Sequence, residues 1–439
     1  MANPSPAAGA TTRWNWQEFR LDNGLRLIVS PDSLAPIAAV NLHYDVGSHR
    51  EPVGQHGYAH LFEHLMFEGS AHVKKGEHFA ALTAVGASNI NATTDFERTN
   101  YFETVPVEQL ELALWLEADR MGALELTQHT LDNQRDVVAN ERRQRHDNQP
   151  YGEWVEELLQ LAFPVGHPYR HPVIGSPRDL DVAALRDLQS FHDTYYSPNN
   201  AILSIVGDVQ PEQVRDLVDR YFGGIGSRDV PAAPDGQLQV RFAAADRKRM
   251  VSAVPMPRIY LAFRTPPAGS REHEVLAVAT YVFATGRGSR LHRELVRSRE
   301  VAQPSAGFLG AWELHGCPSL LVGSATARAG VDADALEAAF RESLAGVLRD
   351  GPSEEDLERA RAQISSRWLS HVSTMAGRAD TFSSYALRFN DPDKINYQLD
   401  RLLSVGSEEL MDVTREYVDL ETCQVLAYEP EPSTGEAAA

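Results

Sequence analysis

The stretch HGYAHLFEHLMFEGS, residues 56–70, contains side chains with the types and spacing of a metal site. If this stretch is helical, His60 and His64 lie one turn apart on the same face, and Glu63 projects toward the same side. Two imidazoles at this spacing can bind one Zn²⁺, while the neighbouring carboxylate takes a proton from water. The spacing therefore predicts a zinc-dependent hydrolytic site with Glu63 as the general base.

The alternative is a core helix whose histidines are ordinary hydrogen-bonded polar groups. With 16 His and 61 Asp+Glu in 439 residues, chance would produce an H-x-x-E-H pattern fewer than about 0.1 times in such a chain, which favours the metal site. His56, the third histidine of the stretch, is expected to be structural.

A catalytic zinc requires a third protein ligand and one open position. Glu141, in the segment ANERRQ, is the candidate, because Val137 and Val138 precede it at helical spacing and could turn that face inward. A buried carboxylate needs a metal or a cation nearby. Composition alone favours a cation, and the available partners are Arg142, Arg143 and Arg145.

The elements that must position these residues follow from the hydrophobic pattern. An Asn-Gly turn at 23–24 lies between alternating stretches and predicts a hairpin near the start. Apolar spacing between residues 57 and 69 predicts a helix with one buried face. Residues 88–105 are rich in β-type side chains, and 106–146 has the pattern of a long helical region.

The second half of the chain ends in the same helix-turn-strand pattern as the first. Aligning Tyr195 with Tyr417, each near the end of a helix-turn-strand pattern, gives an offset of 222 residues and indicates an internal duplication. A stretch rich in Gly, Pro and Asp separates the halves and is typical of a linker. The predicted segments are a flexible N-terminus (1–19), a zinc-binding domain (20–225), the linker (226–238), a homologous C-terminal domain (239–430) and a flexible tail (431–439).

Composition restricts the partners and the compartment. A formal net charge of −20 disfavours nucleic acid and anionic membrane surfaces and favours cationic ligands such as basic peptides. No apolar run approaches the ~18 residues of a membrane span, so we expect a soluble chain without membrane insertion. The two cysteines, Cys317 and Cys423, either form a disulfide or remain buried thiols.

Four segments in this order resemble the pitrilysin, insulin-degrading enzyme and mitochondrial processing peptidase family of inverted zincins. They are VGSHREPVGQHGYAHLFEHLMFEGS, NINATTDFERTNYF, VVANERRQ and YYSPNNAILSIVGDV. Glu141 follows His64 by 77 positions, which is the spacing of the distal glutamate ligand in that family. The resemblance thus implies one Zn²⁺ per chain, held by His60, His64 and Glu141.

The resemblance also implies the architecture. The expected fold is α+β, with two homologous domains, each a mostly antiparallel sheet flanked by helices, forming half of a clamshell peptide chamber. Asn91, Ala92 and Thr93 are similar to the family's edge strand, which holds a peptide by β-augmentation. The alternative for Asn91 is a turn residue.

Two departures from the family pattern concern the site. Gln134 stands seven residues before Glu141, where the family often carries a supporting glutamate; an amide can orient a ligand by hydrogen bonding but adds no charge. The family's second half supplies an arginine and, seven positions later, a tyrosine. Here Arg297 would be followed by Pro304, and proline has no hydroxyl with which to stabilise an oxyanion. Starting from Arg299 gives Ala306.

The prediction is therefore a zinc metalloendopeptidase subunit for short or unfolded peptides, active as a heterodimer with a homologous chain that carries the Arg/Tyr pair. A homodimer with another donor is an alternative. So is a non-catalytic structural or peptide-binding subunit of a larger complex. Exported bacterial relatives make the periplasm the expected compartment, and the cytoplasm is the alternative.

Overall fold

In residues 13–304 and 309–432, which the computed structural model describes, the strands form one six-stranded and one five-stranded sheet. The first sheet has the order β1-β2-β6-β3-β5-β4, and the second has the order β7-β11-β8-β10-β9. The strands are β1 (Gln17–Arg20), β2 (Arg26–Pro31), β3 (Ile37–Tyr44), β4 (Ser88–Thr94), β5 (Thr99–Pro106), β6 (Ala201–Gly207), β7 (Asp246–Ser252), β8 (Arg258–Thr265), β9 (Leu309–Ala311), β10 (Ser319–Thr326) and β11 (Gln424–Pro430).

Helices connect and cover these strands. They are α1 (Tyr58–Leu65), α2 (Glu77–Ala84), α3 (Leu110–Ala123), α4 (Gln128–Arg142), α5 (Trp154–Ala162), α6 (Pro177–Asp181), α7 (Leu185–Tyr195), α8 (Pro211–Phe222), α9 (Arg271–Phe283), α10 (Arg290–His292), α11 (Ala333–Asp350), α12 (Glu354–Val372), α13 (Met375–Phe389), α14 (Gln398–Leu403) and α15 (Ser407–Tyr417). None of the described helices combines the length and the hydropathy that a membrane span requires.

The two sheets repeat one topology. In the first, β2 pairs in parallel with β6, and β3, β5 and β4 follow as antiparallel neighbours. In the second, β7 pairs in parallel with β11, and β8, β10 and β9 follow in the same way. Helices α7 and α15 precede the parallel strands and have 11 residues each. The predicted α+β fold of two homologous domains is confirmed.

The two halves pack against each other, because one helix of each half covers the sheet of the other half. Leu158 and Leu159 of α5 pack in one cluster with Tyr260 of β8 and Leu426 of β11. In return α13 packs on β3 and β6, where Phe382 joins a cluster of first-sheet residues. The exchange ties the domains together, and the predicted domain boundaries remain a prediction.

Defined structure extends into segments that the sequence assigned to a flexible terminus and a linker. Residues 1–12 and 433–439 lie outside the described ranges. The expectation of a flexible segment does not hold for residues 17–19, because they form β1 and pair with β2 across the predicted Asn-Gly hairpin. The linker region has no helix or strand, yet Nη1 of Arg50 donates to the carbonyl oxygen of Pro231 at 2.8 Å.

The predicted helical region 106–146 divides into α3 and α4. Thr127 caps α4 by accepting the N–H of Thr130, and a π-helical turn, Arg143–Asp147, follows it. Val138 is buried as expected, but Val137 is 40% exposed. The buried face of α4 therefore includes only one of the two valines that were expected to point inward.

Both cysteines are free and buried. Cys317 and Cys423 belong to different apolar clusters, so the alternative of a disulfide between them is wrong.

Candidate metal centre

The start of α1 is fixed by the buried carboxylate of Glu51. It accepts the backbone N–H groups of Gly57 at 2.7 Å and Ala59 at 2.8 Å, which would otherwise lack partners at the helix start. Nε2 of His171 approaches the same carboxylate at 2.9 Å. Burial raises the pKa of Glu51, against the lowering effect of His171. Sequence reasoning gave no signal for Glu51, because its partners are two backbone groups and a histidine that is 120 positions away in the sequence.

Three side chains converge beside this helix. Oε2 of Glu141 lies 3.6 Å from Nε2 of His60 and 3.3 Å from Nε2 of His64. The three side chains each offer one ligand atom, and these atoms lie within 4.8 Å of one another. Among the residues that the structure describes, no other His, Cys, Asp or Glu group of three or more meets this condition.

These distances fit a zinc site. Two ligands at ~2.0–2.1 Å from one ion in tetrahedral geometry lie about 3.4 Å apart, close to both measured separations. Burial and the neighbouring His64 lower the pKa of His60 to about 4, so at neutral pH its imidazole is uncharged and able to ligate. The buried Nδ1 of His60 has no hydrogen-bond partner in the described part of the chain.

The second oxygen of Glu141 faces a cation. Its Oε1 lies 2.7 Å from Nη1 of Arg145, a side chain that is 74% exposed. The hydrogen bond with His64 lowers the pKa of Glu141 to about 2, against the effect of burial. The candidate ligand role and the ion pair, which sequence reasoning treated as alternatives for Glu141, are compatible, because the histidines and Arg145 face different oxygens of the carboxylate.

Glu63 faces the same cavity, which has a volume of about 630 Å³. Burial raises the pKa of Glu63, and a hydrogen bond with the Thr94 hydroxyl opposes this. A raised pKa suits a carboxylate that must accept a proton near neutral pH. The cavity leaves space beside the three ligand atoms, as a catalytic metal requires.

The predicted peptide-binding residues line this cavity too. Asn91, Ala92 and Thr93 belong to β4, one of the two edge strands of the first sheet. The alternative of a turn at Asn91 is wrong, because this residue pairs with Phe102 of β5. An edge strand presents unpaired main-chain groups to a further strand, although the carbonyl oxygen of Thr93 already accepts from Arg98 at 3.0 Å.

Gln134 contacts a residue to which the sequence assigned no role. Its Nε2 donates to Oε1 of Glu68 at 2.6 Å, and Nζ of Lys75 donates to the other oxygen at 2.7 Å. Gln134 therefore ties α4 to the segment after α1, instead of bonding to a candidate ligand. Its predicted supporting role would act indirectly, by fixing the position of α4 relative to α1.

His56 lies outside the ligand group. Its ring stacks on His171 with centroids 3.8 Å apart, and its Nδ1 lies 3.5 Å from a carboxylate oxygen of Asp179. This is the structural setting that we expected.

Within residues 226–304 and 309–432, the described part of the second half, no residue lines the cavity. Arg297 is exposed on the turn Arg293–Ser298, and Pro304 is exposed in an irregular segment. Arg299 pairs with Glu342 at 2.6 Å. Ala306 lies outside the described residues.

Comparison with known proteins gives two family-model matches. Residues 27–176 match the model described as insulinase, peptidase family M16, and residues 184–364 match the peptidase M16 inactive domain. The first match contains all of the candidate ligands. The second begins before the predicted linker.

Individual relatives match along most of their length. The chain is 28% identical to the zinc protease PqqE of Helicobacter pylori over 404 residues, which cover 91% of this chain and 90% of that one. A crystal structure of a protease from Helicobacter pylori superimposes with a TM-score of 0.88 at 26% identity, covering 95% and 100% of the two chains. An M16 inactive-domain structure from Pseudomonas fluorescens, at 15% identity and a TM-score of 0.82, covers 95% and 98% and shows the fold alone.

Proposed function

Because the chain belongs to the insulinase family of peptidases, family M16, we propose that it is a zinc-dependent metalloendopeptidase acting on short or unfolded peptides. The observation that supports this most is the convergence of His60, His64 and Glu141 beside Glu63 on one cavity. The relative named as a zinc protease adds support for a peptidase.

In this proposal His60, His64 and Glu141 hold one Zn²⁺ per chain. When bound, zinc supplies a Lewis acid that activates water at neutral pH and polarises the scissile carbonyl. The Glu63 carboxylate takes the proton of the attacking water and returns it to the leaving amine nitrogen. Its partly buried setting, which raises its pKa, favours both steps.

Asn91, Ala92 and Thr93 hold the peptide backbone as a strand added to β4. Main-chain hydrogen bonds of this kind give affinity with little dependence on sequence. The position of these residues at the sheet edge and on the cavity wall supports the assignment.

A homologous subunit completes the chamber and supplies the Arg/Tyr pair. This proposal rests on Pro304, which offers no hydroxyl, and on the cavity, whose lining among the described residues comes from the first half. The purified chain should show little peptidase activity until such a partner is added. Full activity of the pure chain would contradict the heterodimer and leave the peptidase proposal standing.

The proposed chemistry is tested with two variants. Glu63→Gln should keep zinc at one ion per chain and lose about 10²–10⁴ in kcat, because only the proton carrier is removed. His60→Ala should lose both zinc and activity. Metal analysis of the purified proteins and peptide-cleavage assays with the partner present measure these effects. An active Glu63→Gln enzyme would refute the role of Glu63, and a wild-type chain without stoichiometric zinc would favour the non-catalytic alternative.

A further inference from the structure

Two turns with the same Pro-Val-Gly sequence each project a valine side chain from the protein surface. In residues 52–55 and 164–167, the N–H of the fourth residue donates to the proline carbonyl oxygen, at 3.0 and 3.1 Å. Gly54 and Gly166 have φ of 88° and 82°. Both are therefore type II turns with valine at the second position and glycine at the third.

These valines are strongly exposed and border one cavity. Val53 is 85% exposed and Val165 is 89% exposed. The cavity has a volume of about 640 Å³, within the range of ligand pockets. Single exposed apolar side chains are common on protein surfaces, but here two matched turns present them to the same concave site. We call it the valine cavity.

The valine cavity adjoins the cavity of the metal centre. Glu156 of α5 and Pro172 line both. Arg142 fixes this shared wall, since its Nη2 donates to Glu156 and its Nη1 to the carbonyl oxygen of Gly175, each at 2.9 Å. Because Arg142 directly follows Glu141, the wall is tied to the end of the helix that carries a candidate ligand.

The chemistry of the lining selects an apolar occupant. Besides the two valines, the lining includes Pro52, Pro168, Pro172 and Pro234. Several polar groups there already have partners within the chain: His171 contacts Glu51 at 2.9 Å, and Arg170 donates to the Gln160 carbonyl oxygen at 2.7 Å. A charged side chain entering this space would lose water and find few unpaired groups.

We infer that the valine cavity binds an apolar side chain of the peptide substrate, on the part that extends past Pro172 from the scissile bond. The inference rests on the proposed function and adds a specificity determinant to it. The occupant is substrate because the cavity is concave and adjoins the cavity of the metal centre at Glu156 and Pro172. An extended peptide of ten residues spans up to about 33–36 Å, at ~3.3–3.6 Å per residue.

The test uses the zinc-loaded full chain carrying Glu63→Gln, so that peptides bind without being cleaved. The probes are fluorescein-labelled decapeptides of alanine, serine and glycine with one phenylalanine moved along the sequence. At one position, phenylalanine should tighten binding about tenfold, the size of discrimination that an apolar pocket provides. Val53→Asp with Val165→Asp should abolish this gain. Val182→Asp, 73% exposed and outside the cavity, is the matched control and should retain it.

Each other outcome overturns the inference. If the peptides bind but no position responds, or if the gain survives in the Val53→Asp, Val165→Asp protein, the valine cavity is not a subsite and the proposed function stands. If the double variant instead loses assembly with the partner in size-exclusion chromatography while keeping the gain, the valines belong to a subunit interface. If a zinc-loaded chain binds no peptide even with the partner subunit present, the proposed function fails as well.

Discussion

At the scale of single residues, one carboxylate contacts three neighbouring side chains. Glu141 directs Oε2 to His60 and His64 and Oε1 to Arg145. The guanidinium therefore determines which oxygen is available to a metal. Its positive charge also repels a cation, but the exposed position of Arg145 lets water screen that effect. For zinc affinity, the orientation of the Glu141 carboxylate by Arg145 should therefore matter more than the repulsion between Arg145 and the metal ion.

We predict that Arg145→Gln weakens zinc binding about tenfold, the lower end of what loss of a ligand-orienting partner costs. Equilibrium competition with a chromophoric chelator at pH 7 measures this on the isolated chain. Arg143→Gln is the control, because Arg143 is exposed and its hydrogen bond goes to Asn140. Equal or tighter zinc binding by Arg145→Gln would show that charge repulsion dominates.

At the scale of elements, α1 is positioned by a close backbone contact. A Cβ on Gly175 would lie 2.2 Å from Cα of Gly57 and 2.4 Å from the carbonyl oxygen of His56. The φ angles of Gly175 and Gly57 are 78° and 106°. Only glycines permit the loop and the helix start to approach this closely.

Gly175→Ala should therefore destabilise the fold by about 2–4 kcal/mol, combining left-handed strain with overpacking. It should also weaken zinc binding, since the start of α1 must move. Gly76→Ala isolates the strain: its φ is 80°, yet nothing lies within 4 Å of an added Cβ, so about 1–2 kcal/mol is expected. Urea unfolding and zinc titration of both variants provide the comparison. Equal losses would mean that the backbone contact does not position α1.

At the scale of the whole molecule, a buried carboxylate joins the two halves. Glu97, between β4 and β5, accepts the backbone N–H groups of His315 and Gly316 at 2.8 and 2.6 Å. It also accepts the hydroxyl of Tyr169 at 2.5 Å. Burial raises the pKa of Glu97, but the contacts with His315 and Tyr169 outweigh it and lower the pKa to about 2.

A pKa lowered by folding means that this carboxylate stabilises the protein above the unfolded-state pKa, near 4.5. The stabilisation is lost as the pH falls from about 4.5 toward 2. Glu97→Gln should cost about 3 kcal/mol at pH 6, and the difference from wild type should shrink to about 2 kcal/mol at pH 3.5. Denaturant unfolding across this range measures it. Glu313→Gln, exposed on the same loop as His315, is the control. A pH-independent difference would exclude the ionised carboxylate as the cause.

The sequence by itself determined the local features. The H-x-x-E-H spacing, the Asn-Gly hairpin and the 222-residue repeat depend on neighbours or on a period, so they can be read directly from the chain. The helix pattern made Glu141 the candidate third ligand, composition alone favoured an ion pair with an arginine, and the resemblance shifted the prediction to the ligand role. Both predicted partners of Glu141, the metal ion and a nearby arginine, could be identified from the sequence.

Only the tertiary structure decided which distant segments meet. The exchange of α5 and α13 between the sheets, the contact of Gln134 with Glu68, and the two valine turns at one cavity join residues far apart in sequence. Such contacts depend on how whole helices and sheets pack, because burial on one face is satisfied equally well by several partners of similar shape. The Pro-Val-Gly repeat can be read in the sequence, but only the fold shows that its two valines border one cavity.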